Sequence, residues 1–503
     1  VMARDRLGKK PLYLGWASNA ALVFGSELKS LRAHPDFKAE MNKGALANYM
    51  RFGYVCAPLS IYKNVWSLLP GHWLSLKLEG LEAGADLAAQ MKPYWPLMRT
   101  AQEAQEHKLS FASDAEAVDE FEALLKTCTR ERMISDVPLG AFLSGGIDSA
   151  AVVATMQSLS AKKIKTYTIG FDEAGFNEAH HAAKIAAHLG TDHHEWMLSA
   201  DEARGVIPKL PDLYDEPFAD ISAIPTYLVS AFARKSVTVA LSGDGGDEML
   251  GGYNRHIQGP RLWNRMKYLP PALRGVLGKA ILATPQARLD QLFRFLPQAG
   301  GRLHKAAESL SLQTQDALYR RWLSRFDDPA AILQNPAVEP VIPLTDPAQQ
   351  PPASFDFASR MMAGDALSYL PNDILVKVDR ASMGVSLEAR APLLDSRIFE
   401  FVWRLPLQYK IRGGEGKFLL RQVLARHMPA NLFERPKQGF AIPVAAWLRG
   451  PLREWAEDLL TDDDLLKADV VKTLWAAHLE GRGNHAEKLW SILMLKSWAR
   501  RWM

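Results

Sequence analysis

Two stretches of the chain carry residues whose types and spacing suit phosphate chemistry. Residues 143–149 read LSGGIDS, and residues 241–248 read LSGDGGDE. In each, an apolar run ends in Ser-Gly, and glycines and acids follow at once. Glycine permits tight turns and close approach of backbone to a ligand, and free amide groups at a helix start favour an anion. Ser144, Gly145, Gly146 and Ser149 therefore read as a phosphate cradle between a buried strand and an Ala/Val-rich helix. The lysine of the commoner GxxxxGKS/T cradle is missing, and GxGxxG is not matched.

Asp148 lies inside the first loop, where a bare carboxylate would repel phosphate. A divalent cation resolves the conflict, since Mg²⁺ is commonly held by one or two carboxylates plus substrate phosphates. Such a cation calls for a second carboxylate from elsewhere. The second loop offers Asp244, Asp247 and Glu248, directly after the β-branched run Val237 to Leu241. In open α/β sheets ligands bind at the carboxyl ends of strands. Both loops are expected to face one crevice.

The elements that must position these loops follow from hydrophobic pattern. Residues 1–78 carry short apolar runs broken by Gly and Pro (KKPLYLGW, ALVFGSEL, GHWLSLKL) and read as a mostly β segment. Residues 79–115 are polar and poorly periodic, and read as a linker with a few extended residues. From Glu116 a helical pattern leads into VPLGAFL, and helix-strand alternation continues to Leu241, which predicts an α/β domain with a parallel sheet. After Gly252 the pattern is mainly helical, interrupted by a Pro-rich surface loop at 333–355.

Bulk composition narrows the function classes. With 503 residues, 48% hydrophobic, the chain is long enough for two or three domains. Its net charge of +4 leaves no general footprint for nucleic acid or a membrane surface, and no run approaches the roughly 18 apolar residues of a membrane span. Cys56 and Cys128 are too few for a disulfide framework and lack metal-ligand spacing, which fits a reducing cytoplasm. The expected partners are small molecules, with a homodimer admitted. The start VMARDRLGKK opens on Val1 inside an apparent strand and reads as a fragment whose beginning is missing.

SGGIDS resembles the SGGxDS loop of the ATP-pyrophosphatase (PP-loop) enzymes, and SGDGGDE followed by GGY resembles the second signature of glutamine-dependent asparagine synthetases and their relatives. RDRLGKKPLY and FGSELKSL are similar to the end of that family's glutaminase domain. DILVKVDRASMGVSLEARAPLLD, GKFLLR and RPKQGFAIPVAAWL are similar to its C-terminal signatures. The resemblance implies a β-rich remnant of an Ntn-type glutaminase domain at 1–78, a linker at 79–115, and a PP-loop synthetase domain at 116–503, helical after about 253.

The resemblance also implies a reaction. ATP adenylates the side-chain carboxylate of aspartate, pyrophosphate leaves, and ammonia displaces AMP to give the amide. Leu143, Ile169, Ser242 and Gly243 would line the nucleotide, Ser144 to Ser149 would cradle pyrophosphate, and Asp148 with Asp247 would bind Mg²⁺. Lys417, an ordinary surface lysine by its local sequence, matches the lysine that steadies the phosphates. Asp244 falls where the family typically has Glu, in a position linked to acyl-adenylate formation. His193-His194 read as the end of a strand, and Glu388, Arg390 and Asp395 as an ion-pair network supporting the site.

The family's glutaminase uses an N-terminal Cys, whereas residue 1 here is Val; Arg4, Asp5, Lys10 and Glu27 fall in the remnant. The chain as written is expected to use free ammonia rather than to hydrolyse glutamine. Three readings stand: asparagine synthetase proper, a relative that amidates another carboxylate such as a surface-polysaccharide sugar acid or a natural-product precursor, and a non-catalytic scaffold. The Asp244 departure and the tail RPKQGFAIPVAAWLRGPLREW keep the second alive, and intact SGGIDS, Asp247 and Lys417 argue against the third.

Overall fold

The computed structural model of the chain describes residues 1–18, 21–77, 82–171, 179–295, 299–434, 442–461 and 464–503. At its centre is a five-stranded sheet whose spatial order is Glu388–Arg390, Val239–Leu241, Leu139–Phe142, Lys165–Phe171, Asp192–Leu198. Every pairing is parallel. Parallel strands are covered by helices on both faces and so read as near-continuous apolar runs. Val239–Leu241 is wholly buried, and Lys165–Phe171 is buried at all but its first residue.

The decisive register is Val239 opposite Leu139 and Leu241 opposite Ala141. The two strands that feed LSGGIDS and LSGDGGDE are thus immediate neighbours, and both loops leave the same edge of the sheet. Helix Ile147–Ser158 begins two residues before Ser149, so Asp148 sits in the first turn of a helix rather than in the loop itself. Strand Glu388–Arg390, outside the helix-strand alternation visible in sequence, pairs beside Val239–Leu241 as an edge strand.

The N-terminal segment forms two three-stranded sheets. One joins Met2–Ala3, His72–Leu74 and Lys92–Pro93, and the other joins Ala21–Gly25, Tyr13–Ala17 and Val65–Ser67. It is less β-rich than its sequence predicts, because helix Lys43–Phe52 runs through it, capped by the Asn42 side chain and closed by Gly53 at φ 86°. Ala45 to Phe52 are all buried, including Asn48, which accepts from the Cys56 amide at 2.8 Å, and Arg51, which pairs with Glu339.

The stretch read as a linker is also more ordered than expected. Helix Leu97–Glu106 packs on helix Ser396–Arg404, burying Leu97, Ala101 and Ala104 at i, i+4 and i+7. The N-terminal segment shares a core with the rest of the chain. Tyr13 and Tyr49 belong to the same apolar cluster as Tyr167, Trp490 and Trp498, and the Tyr49 hydroxyl donates to the Ser491 carbonyl at 2.7 Å. The Pro-rich stretch is largely irregular as expected, although Leu333 and Ile342 are buried.

Behind the sheet edge, helix Phe357–Gly364 runs into a π-helical segment, Asp365–Ile374, a geometry that recurs at functional sites. Asp365 is fully buried and accepts from the Tyr319 hydroxyl at 2.6 Å, from His256 Nε2 at 2.7 Å and from Arg255 Nε at 3.1 Å. Burial opposes its charge, yet Arg255 and His256 hold the carboxyl below its usual range. Its folded value is depressed, so its stabilisation is present above the ordinary carboxylate range and is lost as pH falls through the folded value. Asp365→Ala strands a buried cation and should cost roughly 3–5 kcal/mol, read as a lower urea midpoint.

Among the described residues no helix is long and apolar enough to cross a membrane.

Candidate functional site

A cavity of about 340 Å³ opens at the carboxyl edge of the sheet. Leu143, Ser144, Asp148 and Ser149 line it from the first loop, Ile169 from the neighbouring strand, and Ser242, Gly243, Asp244 and Asp247 from the second loop. The structure therefore brings the residues singled out in sequence onto one surface. Gly145 and Gly146 shape the turn without lining the cavity, and Lys417 reaches it only through its partners.

The first loop braces itself. The Ser144 amide donates to Ser149 Oγ at 3.2 Å, and Ser149 Oγ donates to the Gly146 carbonyl at 3.2 Å. Gly145 has φ 73°, in the left-handed region that a side chain disfavours. The second loop packs directly on it. A Cβ at Gly243 would lie 2.6 Å from the Ser149 amide nitrogen and 2.7 Å from the Asp148 carbonyl carbon. Gly243→Ala should therefore push the loops apart and cost about 1–3 kcal/mol, seen as a fall in the urea midpoint.

Lys417 stands 269 residues from Asp148 in sequence. Its ammonium bridges the loops, at 2.6 Å from Asp148 Oδ2 and 2.7 Å from Asp247 Oδ1. The residue caps helix Phe418–His427 with φ 63°, and it is buried rather than on the surface as its local sequence suggested. Desolvation works against the charge, but Asp148 and Asp247 hold the pKa of the ammonium well above its usual value. Two carboxylates from separate loops thus converge on the Lys417 ammonium. That donor set, hard oxygens aimed at one point beside a phosphate-sized cradle, fits Mg²⁺.

Asp244 accepts from Ser242 Oγ at 2.7 Å. Burial raises its pKa, with the Ser242 hydroxyl and Lys377 opposing. Ser242 and Asp244 also line a second cavity of about 230 Å³, whose walls include Asp5, Lys9 and Lys10 of the N-terminal segment. Glu248 is buried yet lines the cavity, accepts from the Tyr253 hydroxyl at 2.5 Å, and has its pKa pushed up to about 7 by burial and by Asp247.

Several residues that line or support the cavity escaped the sequence reading. Lys377 points to it with its ammonium 2.8 Å from Asp220 Oδ2. Burial opposes that charge, and Asp220 and Asp373 raise its pKa to about 12. Ser222, Thr226, Tyr253 and Tyr369 complete the wall. Lys377 lies inside DILVKVDR, whose spacing is that of an ordinary amphipathic helix.

Other expectations meet mixed outcomes. His193 and His194 sit near the start of strand Asp192–Leu198, where His193 Nδ1 shares a 2.9 Å hydrogen bond with Thr166 and His194 stacks on Tyr167. Glu388, Arg390 and Asp395 are joined through Arg132, whose carbonyl accepts from Arg390 Nη1 at 3.0 Å. Glu388 pairs with Arg390 at 2.7 Å, and Asp395 pairs with Arg132 and Arg397, both at 2.8 Å. Lys10 and Glu27 meet Asp379 and Arg380 across the segment boundary. Cys56 and Cys128 are buried, and burial pushes both thiols up to about 12, so neither is a poised nucleophile. Residues 435–441 of the RPKQGFAIPVAAWL motif lie outside the described residues.

Comparison with known proteins places the chain in a family. Residues 120–500 match the asparagine synthase family model. The chain belongs to the asparagine synthase family. Residues 1–95 match the glutamine amidotransferase domain model. Asparagine synthetase (glutamine-hydrolyzing) 1 of Bacillus subtilis is 29% identical over 499 residues, covering 99% of this chain and 74% of the relative. A Mycobacterium bovis protein provisionally named asparagine synthetase (glutamine-hydrolyzing) is 31% identical over 513 residues, covering 99% and 73%. Amidase chry2 of Gibberella zeae is more distant, at 25% over 505 residues, covering 92% and 70%. The chain is thus of an amidotransferase ligase family whose members use ATP.

Proposed function

We propose that the protein amidates the side-chain carboxylate of aspartate to give asparagine, through a β-aspartyl-AMP intermediate with release of pyrophosphate. The observation that carries this reading is the Lys417 ammonium held between Asp148 and Asp247 at the junction of two post-strand loops. A carboxylate at neutral pH has no leaving group, and adenylation supplies one.

In this reading the 143–149 loop receives the phosphates and Leu143, Ile169, Ser242 and Gly243 flank the nucleotide. Asp148 and Asp247 would hold Mg²⁺, which neutralises charge on the transferring phosphates. Lys417 adds a fixed charge where negative charge develops, the kind of preorganised group that lowers a barrier. Lys377 supplies the cavity with a second cation, suited to the acceptor's carboxylate. Ammonia from the N-terminal side would arrive past Asp244, where the second cavity meets the first. A reducing cytoplasm and a homodimer belong to the same reading, as does a glutaminase remnant at 1–78 joined through 79–115 to a synthetase unit at 116–503.

The Asp244 side chain favours a second reading. It is one methylene shorter than the Glu the family usually places there, which leaves more room at the acceptor end. An amidotransferase acting on another carboxylate, such as a sugar acid or a natural-product precursor, fits that space. Aspartate-dependent exchange of labelled pyrophosphate into ATP, with ammonium supplied separately for amide formation, tests the choice. Exchange driven by aspartate supports the first reading. Exchange absent with aspartate but present with a sugar acid supports the second.

A further inference from the structure

Helix Pro271–Ala283 is folded with its polarity reversed. It buries Arg274 and Gly278, and it exposes Leu273, Val276 and Leu277 at 54%, 67% and 45%. These positions, with exposed Ala280, recur at i, i+3, i+4 and i+7, one continuous stripe along the helix. The opposite face is pressed so closely on helix Ala299–Leu310 that a Cβ on Gly278 would lie 2.9 Å from the Ala307 carbonyl oxygen. Arg274 is buried near the Trp263 ring, 5.9 Å from its centroid, and its Nε and Nη1 have no hydrogen-bond partner among the described residues. A helix that turns an arginine inward and leucines outward does not have water as its intended neighbour.

The apolar exposure continues on both sides. Tyr268 is 79% exposed before the helix, and Leu292 and Phe295 are 69% and 73% exposed after it. Large apolar side chains exposed in such number within one segment mark an interaction surface. Charge identifies the partner. Residues 265–295 carry Arg265, Lys267, Lys279, Arg288 and Arg294, all exposed, with Asp290 as their only acid. The net charge of the whole chain, +4, averages this local excess away. An isologous contact with a second copy would set these cations against their own images.

We propose that the helical segment 265–295 docks on an anionic phospholipid bilayer, with the stripe of helix Pro271–Ala283 at the headgroup boundary and the flanking cations on lipid phosphates. Basic amphipathic helices bind in this way, lying in the interface plane, and juxtaposed lysines and arginines add attraction to anionic lipid. Helix Asn254–Met266 connects this segment to Tyr253 in the cavity wall. At 1.5 Å per residue that helix is about 20 Å long, so the catalytic crevice would stand close to the membrane surface. The attachment does not depend on which carboxylate is amidated.

Sedimentation of the 503-residue protein with vesicles tests this. Binding is expected to vesicles of phosphatidylcholine doped with phosphatidylglycerol, to be weak with phosphatidylcholine alone, and to fall as salt screens the charges. The triple variant Leu273→Asp, Val276→Asp, Leu277→Asp should reduce partitioning by about tenfold or more, with an unchanged urea midpoint because all three side chains are exposed. Lys267→Glu with Lys279→Glu should weaken binding to the doped vesicles only. Absence of binding to doped vesicles, equal binding to both kinds, or retention by the triple variant overturns the proposal. Self-association in sedimentation velocity that the triple variant abolishes would assign the face to a second copy and overturn it too.

Discussion

If the protein adenylates its acceptor as proposed, Lys417→Ala is expected to lower the rate of pyrophosphate release by roughly a hundred- to a thousandfold, the usual cost of removing one preorganised charge from a transition state. The ammonium is buried and touches both Asp148 and Asp247, so no neighbouring solvent ion is placed to replace it. An interaction made mainly in the transition state depresses kcat and kcat/KM together, whereas a lost ground-state contact raises KM alone. The acceptor KM should therefore move little. The variant also removes a buried ammonium from between two close carboxylates, and its urea midpoint should drop as well. Lys417→Met, which keeps the stem's packing, separates the two effects by restoring part of the packing and none of the rate. Lys417→Arg should rescue poorly, because a planar fork does not replace a compact ammonium between two close carboxylates. Unchanged turnover of the alanine variant at saturating ATP and acceptor would assign Lys417 a purely structural role.

Asp247→Asn should produce a loss of similar size by a different route. The amide keeps the carboxylate's shape and can stay near Lys417, so the fold persists and the urea midpoint moves little. What disappears is one of the two negative charges that meet at the loop junction. Pyrophosphate release is expected to fall on the order of a hundredfold or more, with a weaker dependence on added Mg²⁺ concentration at the low end of the titration. Asp148→Asn should match it, and the double variant should cost little beyond either single change, because groups that act as a unit are strongly non-additive. Near-normal turnover in Asp247→Asn would sink the shared-site reading while leaving the role of Lys417 open to its own test.

Much of this site was legible in the chain itself. Ser144 to Ser149 and Ser242 to Asp247 announce themselves because the relevant signals are local: an apolar run, then glycines, then an acid. The same locality explains the misses. Helix Lys43–Phe52 buries its polar Asn48 and Arg51 together with its apolar residues, so from Ala45 on no solvent-facing side sets it apart from the flanking apolar runs. Leu97–Glu106 carries only small or widely spaced apolar residues on its buried stripe, and reads as polar linker. Lys377 lies on an amphipathic helix like any other lysine, and its value comes from Asp220 and Asp373 brought near it by the fold.

By itself the sequence determined the chemistry on offer: two post-strand loops able to approach phosphate, each with an acid beside its glycines. These depend on backbone freedom and residue type over seven or eight positions, which no later folding can change. Only the tertiary structure decided that strands Leu139–Phe142 and Val239–Leu241 lie side by side, that Gly243 presses on Asp148 and Ser149, and that Lys417 closes the pair. Parallel pairing joins segments far apart in the chain, and its choice rests on which faces the covering helices bury. That burial is a property of the whole core and is not written in any one segment.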